Sequence, residues 1–161
     1  MIKAILACDE KGGVSLGGKM PWPHNSTDLK WFKQNTAGQV VVMGSTTWKA
    51  PDMPRPLPKR VNVVATNNAL DNEGANIYIS GDLCKNLLAL EEEYPNLTVW
   101  VIGGPDIVRQ SMDVIDVFYL SRIPGNYDCD TFLSLADIES QYERTMEQPE
   151  EGVTFEIWEK K

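Results

Sequence analysis

Apolar residues in this 161-residue chain fall into short blocks separated by longer polar, glycine-rich or proline-rich stretches. The opening Ile2-Lys3-Ala4-Ile5-Leu6-Ala7 is long enough for a buried strand and too short for a helix. Blocks at residues 39–43, 61–65, 77–79, 98–102 and 117–123 repeat the pattern. Near-continuous apolar runs of this length predict strands covered on both faces, as in a parallel sheet. Between them the spacing turns helical, with Leu83, Leu87 and Leu90 in residues 82–94. Pro105 suits a first helical position, so a short helix is expected over 105–111. Ser26 or Thr27 can cap another helix, with Asp28 near its positive end. Residues 142–147 and 153–159 read as a closing antiparallel hairpin joined through Pro149 and Gly152. Strands alternating with helices, then strands alone, imply an α/β architecture with a mostly parallel sheet and an antiparallel edge. No repeat or linker divides the chain, so one domain over 1–161 is expected.

Residues 9–23 break the alternation. This loop carries four glycines and two prolines, too many for a helix, and loops so long inside a compact domain are usually functional. It ends at Met20-Pro21-Trp22, just ahead of Asp28-Leu29-Lys30-Trp31-Phe32. At 100° per residue, Asp28, Leu29 and Phe32 share one arc of the helix. A carboxylate inside an apolar arc is costly to bury alone, so a cation or a pair of hydrogen-bond donors is expected against Asp28. Trp22, between two prolines, reads equally well as lid or core.

Composition narrows the chemistry. The formal charge of −8 argues against a nucleic-acid partner, though a few well-placed arginines or helix N-termini could still hold a small anion. Three cysteines without C-x-x-C spacing and a single histidine leave no disulfide framework and few metal ligands, which suits a reducing, cytoplasmic setting. No apolar run approaches a membrane span, and no signal-peptide pattern opens the chain. His24, in a polar loop, reads as solvated rather than as part of a triad. Gly44, followed by Ser45-Thr46-Thr47, and Gly103-Gly104-Pro105 stand where strands give way to helices. Backbone N–H groups there can meet phosphate, and two such junctions side by side would suit a dinucleotide. Neither carries the Rossmann G-x-G-x-x-G pattern. Arg55 and Arg60 flank Pro56-Leu57-Pro58, a plausible carboxylate clamp beside an apolar wall.

These segments together resemble dihydrofolate reductase over essentially the whole chain. The resemblance rests on Met20-Pro21-Trp22, Asp28-Leu29-x-Trp31-Phe32-Lys33-x-x-Thr36 and Val42-Met43-Gly44-x-x-Thr47-Trp48. Arg55-Pro56-Leu57-Pro58-x-Arg60-x-Asn62, Ile102-Gly103-Gly104 and, more loosely, Asp130-Thr131 with Phe132 extend it. It implies a central, mostly parallel eight-stranded sheet with an antiparallel C-terminal strand and four flanking helices. It implies an oxidoreductase that reduces 7,8-dihydrofolate to tetrahydrofolate, with hydride passing from nicotinamide C4 of NADPH to pterin C6. Use of NADH beside NADPH is left open.

Carried over residue by residue, the resemblance has Asp28 accept from pterin N3 and the 2-amino group, with Ser121 bonded to it and Trp22 ordering a water. Water admitted by the loop bearing Met20 would protonate N5. Leu29, Phe32 and Leu57 would pack the substrate's rings, with Trp31 on the same side. Arg60 would pair with the glutamate α-carboxylate and Arg55 would stand nearby. The carbonyls of Ile5 and Ile102 would accept hydrogen bonds from the ligands. Ala7, Ser15, Gly44, Ser45, Thr46 and Thr47 would border the cofactor, as would Thr66 and Asn67. So would Ile102, Gly103, Gly104, Pro105, Asp106, Ile107, Val108 and Thr131, with a cis bond at Gly103-Gly104. Ser45, Thr46 and Asp106 stand where relatives often have basic residues, and Thr66-Asn67-Asn68 adds no cation. Weaker discrimination of NADPH over NADH follows, with Lys59 or Lys49 as partial substitutes; Val108 replaces a frequent tyrosine. A monomer is expected. The reductase of riboflavin biosynthesis, which shares the topology, and a folate-binding module without catalysis are the competing readings.

Overall fold

A computed structural model describes residues 1–161. Ten strands and five helices follow one another in the order β1 (Ile2–Cys8), β2 (Gly13–Ser15), α1 (Ser26–Thr36), β3 (Val40–Gly44), α2 (Ser45–Trp48), β4 (Val61–Ala65) and β5 (Ile77–Ile79). The second half adds α3 (Leu83–Glu93), β6 (Val99–Gly103), α4 (Pro105–Ser111), β7 (Val117–Arg122), β8 (Thr131–Phe132), α5 (Leu135–Gln141), β9 (Tyr142–Glu150) and β10 (Val153–Lys160). Eight strands form one sheet in the order β5-β4-β3-β6-β1-β7-β10-β9. Pairings from β5 through β7 are parallel, while β10 runs antiparallel to both β7 and β9. The expected closing hairpin, β9 and β10, therefore makes the antiparallel edge. The four helices of seven residues or more flank the sheet, and α2 is a single turn.

Alternation along the strands sorts the core by face. Val40, Val42, Val63, Val99 and Val101 join Leu83, Leu87 and Leu90 of α3, Val108 of α4 and Ile138 of α5 in one cluster. Their neighbours Val41, Met43, Val64 and Trp100 point the other way, against Trp31 and Phe32 of α1, Trp48 and Leu57. Period-two reversal of side chains on a strand covered on both sides gives this division. Full burial of a valine or leucine side chain stabilises the fold by about 1.5–3 kcal/mol, so β3, buried along its whole length, anchors both layers.

Three expectations are corrected. Asn25 caps α1, its Oδ1 accepting the Asp28 N–H at 2.9 Å; Ser26 is already the first helical residue. The loop 9–23 contains β2, which pairs with β8, and α5 precedes the closing hairpin. Pro149 lies inside β9, an edge strand with a free side, where a missing N–H leaves no central ladder bond unmade. The Arg55–Pro56 and Gly103–Gly104 peptide bonds are cis. No helix is long and apolar enough to cross a membrane.

Candidate active site

Asp28 is buried to 8 % exposure in the first turn of α1. Ser121 pairs with Ala7 across β7 and β1, which brings it to the strand ends where α1 begins. Burial raises the Asp28 pKa above its ordinary value, and a hydrogen bond from the Ser121 hydroxyl opposes the rise. No lysine or arginine reaches ion-pair distance. Of the two partners expected against Asp28, a cation or a pair of hydrogen-bond donors, no cation is present, and the carboxylate can still accept paired N–H donors. Neighbouring Leu29 and Phe32 line the adjoining cleft, with Leu29 42 % exposed.

That cleft has a volume of about 1540 Å³ and runs along the carboxyl ends of the parallel strands. A pocket for one small molecule occupies roughly 300–1,000 Å³, so there is room for two ligands together. Leu6, Ala7, Ser15, Met20, Leu57 and Arg60 line it near Asp28's end. Ile102, Gly103, Gly104, Gly44 and Thr47 border the middle; Ser45, Thr46, Pro105, Asp106 and Ile107 continue the wall, with Thr66 and Asn67 beyond and Thr131 from β8.

Asp28 and Ser121 are not themselves among the lining residues, and several other sequence candidates also lie outside the lining. Trp22 packs with Ile123, Val153 and Phe155 and meets Tyr127 edge-on at 5.9 Å. Trp31 stacks on Phe155 at 4.2 Å, so it braces α1 and does not line the cleft. Ile5 and Val108 are buried in the core, because Leu6 and Ile107 take the facing positions. Arg55 is exposed in the connector and does not reach the cleft wall. Lys59 lines the cleft but precedes β4, whereas Thr66 follows it; a full strand separates them. Lys49 lies outside the wall. Of the two, only Lys49 is near Ser45, whose carbonyl accepts its N–H at 3.0 Å.

Arg60 is held by its neighbours. Its Nε donates to Thr36 Oγ1 at 2.9 Å, a nitrogen of its fork donates to the Pro58 carbonyl, and the guanidinium lies 5.7 Å from the Phe32 ring centre. Burial lowers its pKa, and no acidic side chain pairs with it. Buried Asn62 braces the segment in front, trading hydrogen bonds with both N–H and carbonyl of Leu57. An asparagine amid Val61, Val63 and Val64 was a visible sign of such a brace.

The two glycine junctions do come side by side, since β3 and β6 pair with Met43 opposite Gly103. Gly103 has φ +126°, which strongly favours glycine. A Cβ there or at Gly104 would fill space beside the Thr47 hydroxyl, at 3.6 and 3.7 Å. At Gly44 a Cβ would sit 2.8 Å from Ile107, so packing alone demands that glycine. Open backbone, a hydroxyl and a long groove fit a dinucleotide.

The loop 9–23 is tied at two points. Asp9, fully buried, accepts from the N–H groups of Lys11, Gly13 and Tyr127, and these bonds hold its pKa down against the opposing effect of burial. Asp130 accepts from the Gly17 N–H at 3.0 Å. Met20 lies beyond the second tie, 43 % exposed. Sequence reading had marked the loop but not its anchors.

A family model described as "Dihydrofolate reductase" matches residues 1–159. The dihydrofolate reductase of Haemophilus influenzae is 34 % identical over 128 residues, covering 80 % of this chain and 75 % of that protein. The rat enzyme is 28 % identical over 175 residues, covering 99 % of this chain and 91 % of its own. Among solved structures, dihydrofolate reductase from Enterococcus faecalis complexed with NADP(H) and RAB-propyl superposes with a TM-score of 0.86 at 29 % identity, covering 99 % of this chain and 96 % of that one.

Proposed function

The chain belongs to the dihydrofolate reductase family, and on that premise we propose that it reduces 7,8-dihydrofolate to tetrahydrofolate by hydride transfer from NADPH to pterin C6, with N5 protonated from water. The observation that carries the reading is Asp28: a buried carboxylate without a cation, on the helix whose Leu29 and Phe32 line a cleft large enough for two ligands. When bound, NADPH supplies the hydride from its nicotinamide C4.

The chain's own residues orient and shield. Asp28 takes two adjacent N–H groups of the pterin edge on its two oxygens, a match that fixes the ring in one direction. Ser121 holds that carboxylate in place. Leu29, Phe32 and Leu57 pack the flat rings. Arg60, pinned by Thr36 and Pro58, meets the substrate's α-carboxylate with donors it has left over. Thr47, Gly103 and Gly104 border the dinucleotide near its middle. The loop bearing Met20 excludes bulk water and admits the water that protonates N5. Trp22, packed beneath, keeps the end of that loop in register with α1. The free thiols of Cys8 and Cys129, both buried, support a cytoplasmic setting, and we assign the protein as a monomer.

The test is absorbance at the NADPH band. Loss of signal that requires dihydrofolate supports the reductase. Binding of folate without any NADPH oxidation would favour a binding module, and oxidation driven only by an aminouracil substrate would favour the riboflavin-pathway reductase.

A further inference from the structure

The sheet order places the ligand's parts. From Asp28 and Ser121 at β1 and β7, the carboxyl ends run through β6 and β3, with Gly103 and Gly44, to β4, with Thr66. Three strand spacings, roughly 14 Å, separate β1 from β4. With the nicotinamide beside Asp28's end and the phosphates at the glycine junctions, the adenosine ribose of the cofactor lies against Ser45, Thr66 and Asn67.

Those groups are pre-set by Asn72, a side chain only 2 % exposed that does not line the cleft. Its Nδ2 donates to the Asn68 carbonyl at 2.7 Å, which fixes the orientation of the amide. Its Oδ1 must then accept, and the Ser45 hydroxyl donates to it at 2.8 Å. With that proton committed, Ser45 turns lone pairs to the cleft. Thr66 has the opposite bias: its Oγ1 accepts from Asn72 Nδ2 at 3.2 Å and from the Asn68 N–H at 3.1 Å. Both lone pairs are engaged, so its proton is free to donate. One acceptor and one donor therefore face the ribose.

A ribose hydroxyl satisfies both, because it donates and accepts. A phosphate monoester only accepts, so Ser45 would present lone pairs to an anion. No cation lines the cleft beside these groups: Lys49, four residues from Ser45, is not in the lining, Asp106 is paired with Arg109 and bonded by Gln110, and Asp71 adds a further negative charge in the turn held by Asn68. We infer that the adenosine end of the cleft is built for a 2′-hydroxyl rather than a 2′-phosphate, with Asn72 the positioning residue that sets its polarity, so that NADH serves nearly as well as NADPH. The inference rests on the reductase reading of the same cleft.

Binding of NADPH, NADH and adenosine 2′-phosphate to the wild-type protein, followed by tryptophan quenching and calorimetry across a salt series, tests it. The expected result is dissociation constants for NADH and NADPH within about tenfold, and a shallow salt slope for NADPH. Ser45→Ala, which removes the acceptor that suits a hydroxyl and opposes a phosphate, should weaken NADH more than NADPH by about five- to tenfold, the worth of one hydrogen bond. Asn72→Ala, which removes Oδ1 and frees the Ser45 proton to donate, should shift the ratio in the same direction, whereas a purely structural residue would weaken both cofactors alike. Ser45→Arg should restore a steep salt slope and NADPH preference. If Asn72→Ala fails to fold, Ser45→Ala and Ser45→Arg carry the test. Wild-type NADPH binding more than about a hundredfold tighter than NADH, falling steeply with salt, would overturn the inference while leaving the reductase intact. No binding of either cofactor would overturn the reductase reading and the inference with it.

Discussion

In the proposed reaction Asp28 serves the ligand at the expense of the ligand-free protein. Its pKa is raised by burial, so its charged form is disfavoured by folding. A group with a raised folded pKa stabilises the fold below its unfolded value of 3.8, and that contribution is lost as pH rises through the folded pKa. Asp28→Asn removes the penalty, so the ligand-free variant should melt higher than wild type at pH 7, with the gap closing below pH 3.8. Its turnover at pH 7 should fall by about a hundredfold or more, because one amide oxygen cannot accept a pair of N–H donors. Thermal melts across pH alongside steady-state rates check both signs; a variant that is less stable and equally active would remove Asp28 from the site. Thr36 offers a second residue-scale test. Its buried hydroxyl donates to the Phe32 carbonyl and accepts from Arg60. Thr36→Val should cost about 1–2 kcal/mol and raise KM for dihydrofolate with little change in kcat.

Among elements, the loop 9–23 depends on few bonds. The pairing of β2 with β8 is short, Asp9 seals one end in the interior, and Asp130 holds Gly17 from the surface. Asp130→Ala should leave global stability almost unchanged, since the bond is exposed. Protease cleavage within residues 9–23 should nonetheless quicken and the hydride step should slow in single-turnover kinetics. Unchanged cleavage and rate would show that the tie does not order the loop. The same loop marks the limit of what was legible in the chain. Runs such as Val40-Val41-Val42-Met43 declare themselves as strands because both faces are buried, and Leu83, Leu87 and Leu90 declare α3 by period. β2 and β8 are three and two residues long, below any usable period, and exist through contacts distant in sequence. Motifs led to Asp28, Arg60 and the glycine junctions. Asn72 and Asp130 act through partners that only folding brings near, and Trp31 looked like a ligand contact because an exposed aromatic arc and a packed one read alike.

At the scale of the molecule, charge is unevenly spent. The chain is −8 overall, yet Lys33, Lys59 and Arg60 line one end of the cleft, with Asp52 as the acid among the lining residues of that connector. None of the three cations is ion-paired. Dihydrofolate carries a dicarboxylate tail, so two opposed fields act on its approach. The diffuse negative charge repels it from afar, and the three cations attract it within a Debye length of about 8 Å at physiological salt. Field lines concentrate at a cleft mouth with low-dielectric walls, so the near cations should win. kcat/KM for dihydrofolate should therefore fall by about two- to fivefold as salt rises from roughly 10 to 150 mM. The double variant Lys33→Gln, Lys59→Gln keeps Arg60 to bind the tail but loses most of the local field. Its kcat/KM should be lower at low salt and should rise, not fall, as screening weakens the repulsion of the remaining net charge. A salt response of the same sign in both proteins would mean that the rim does not steer the substrate, and that Arg60 alone accounts for its capture.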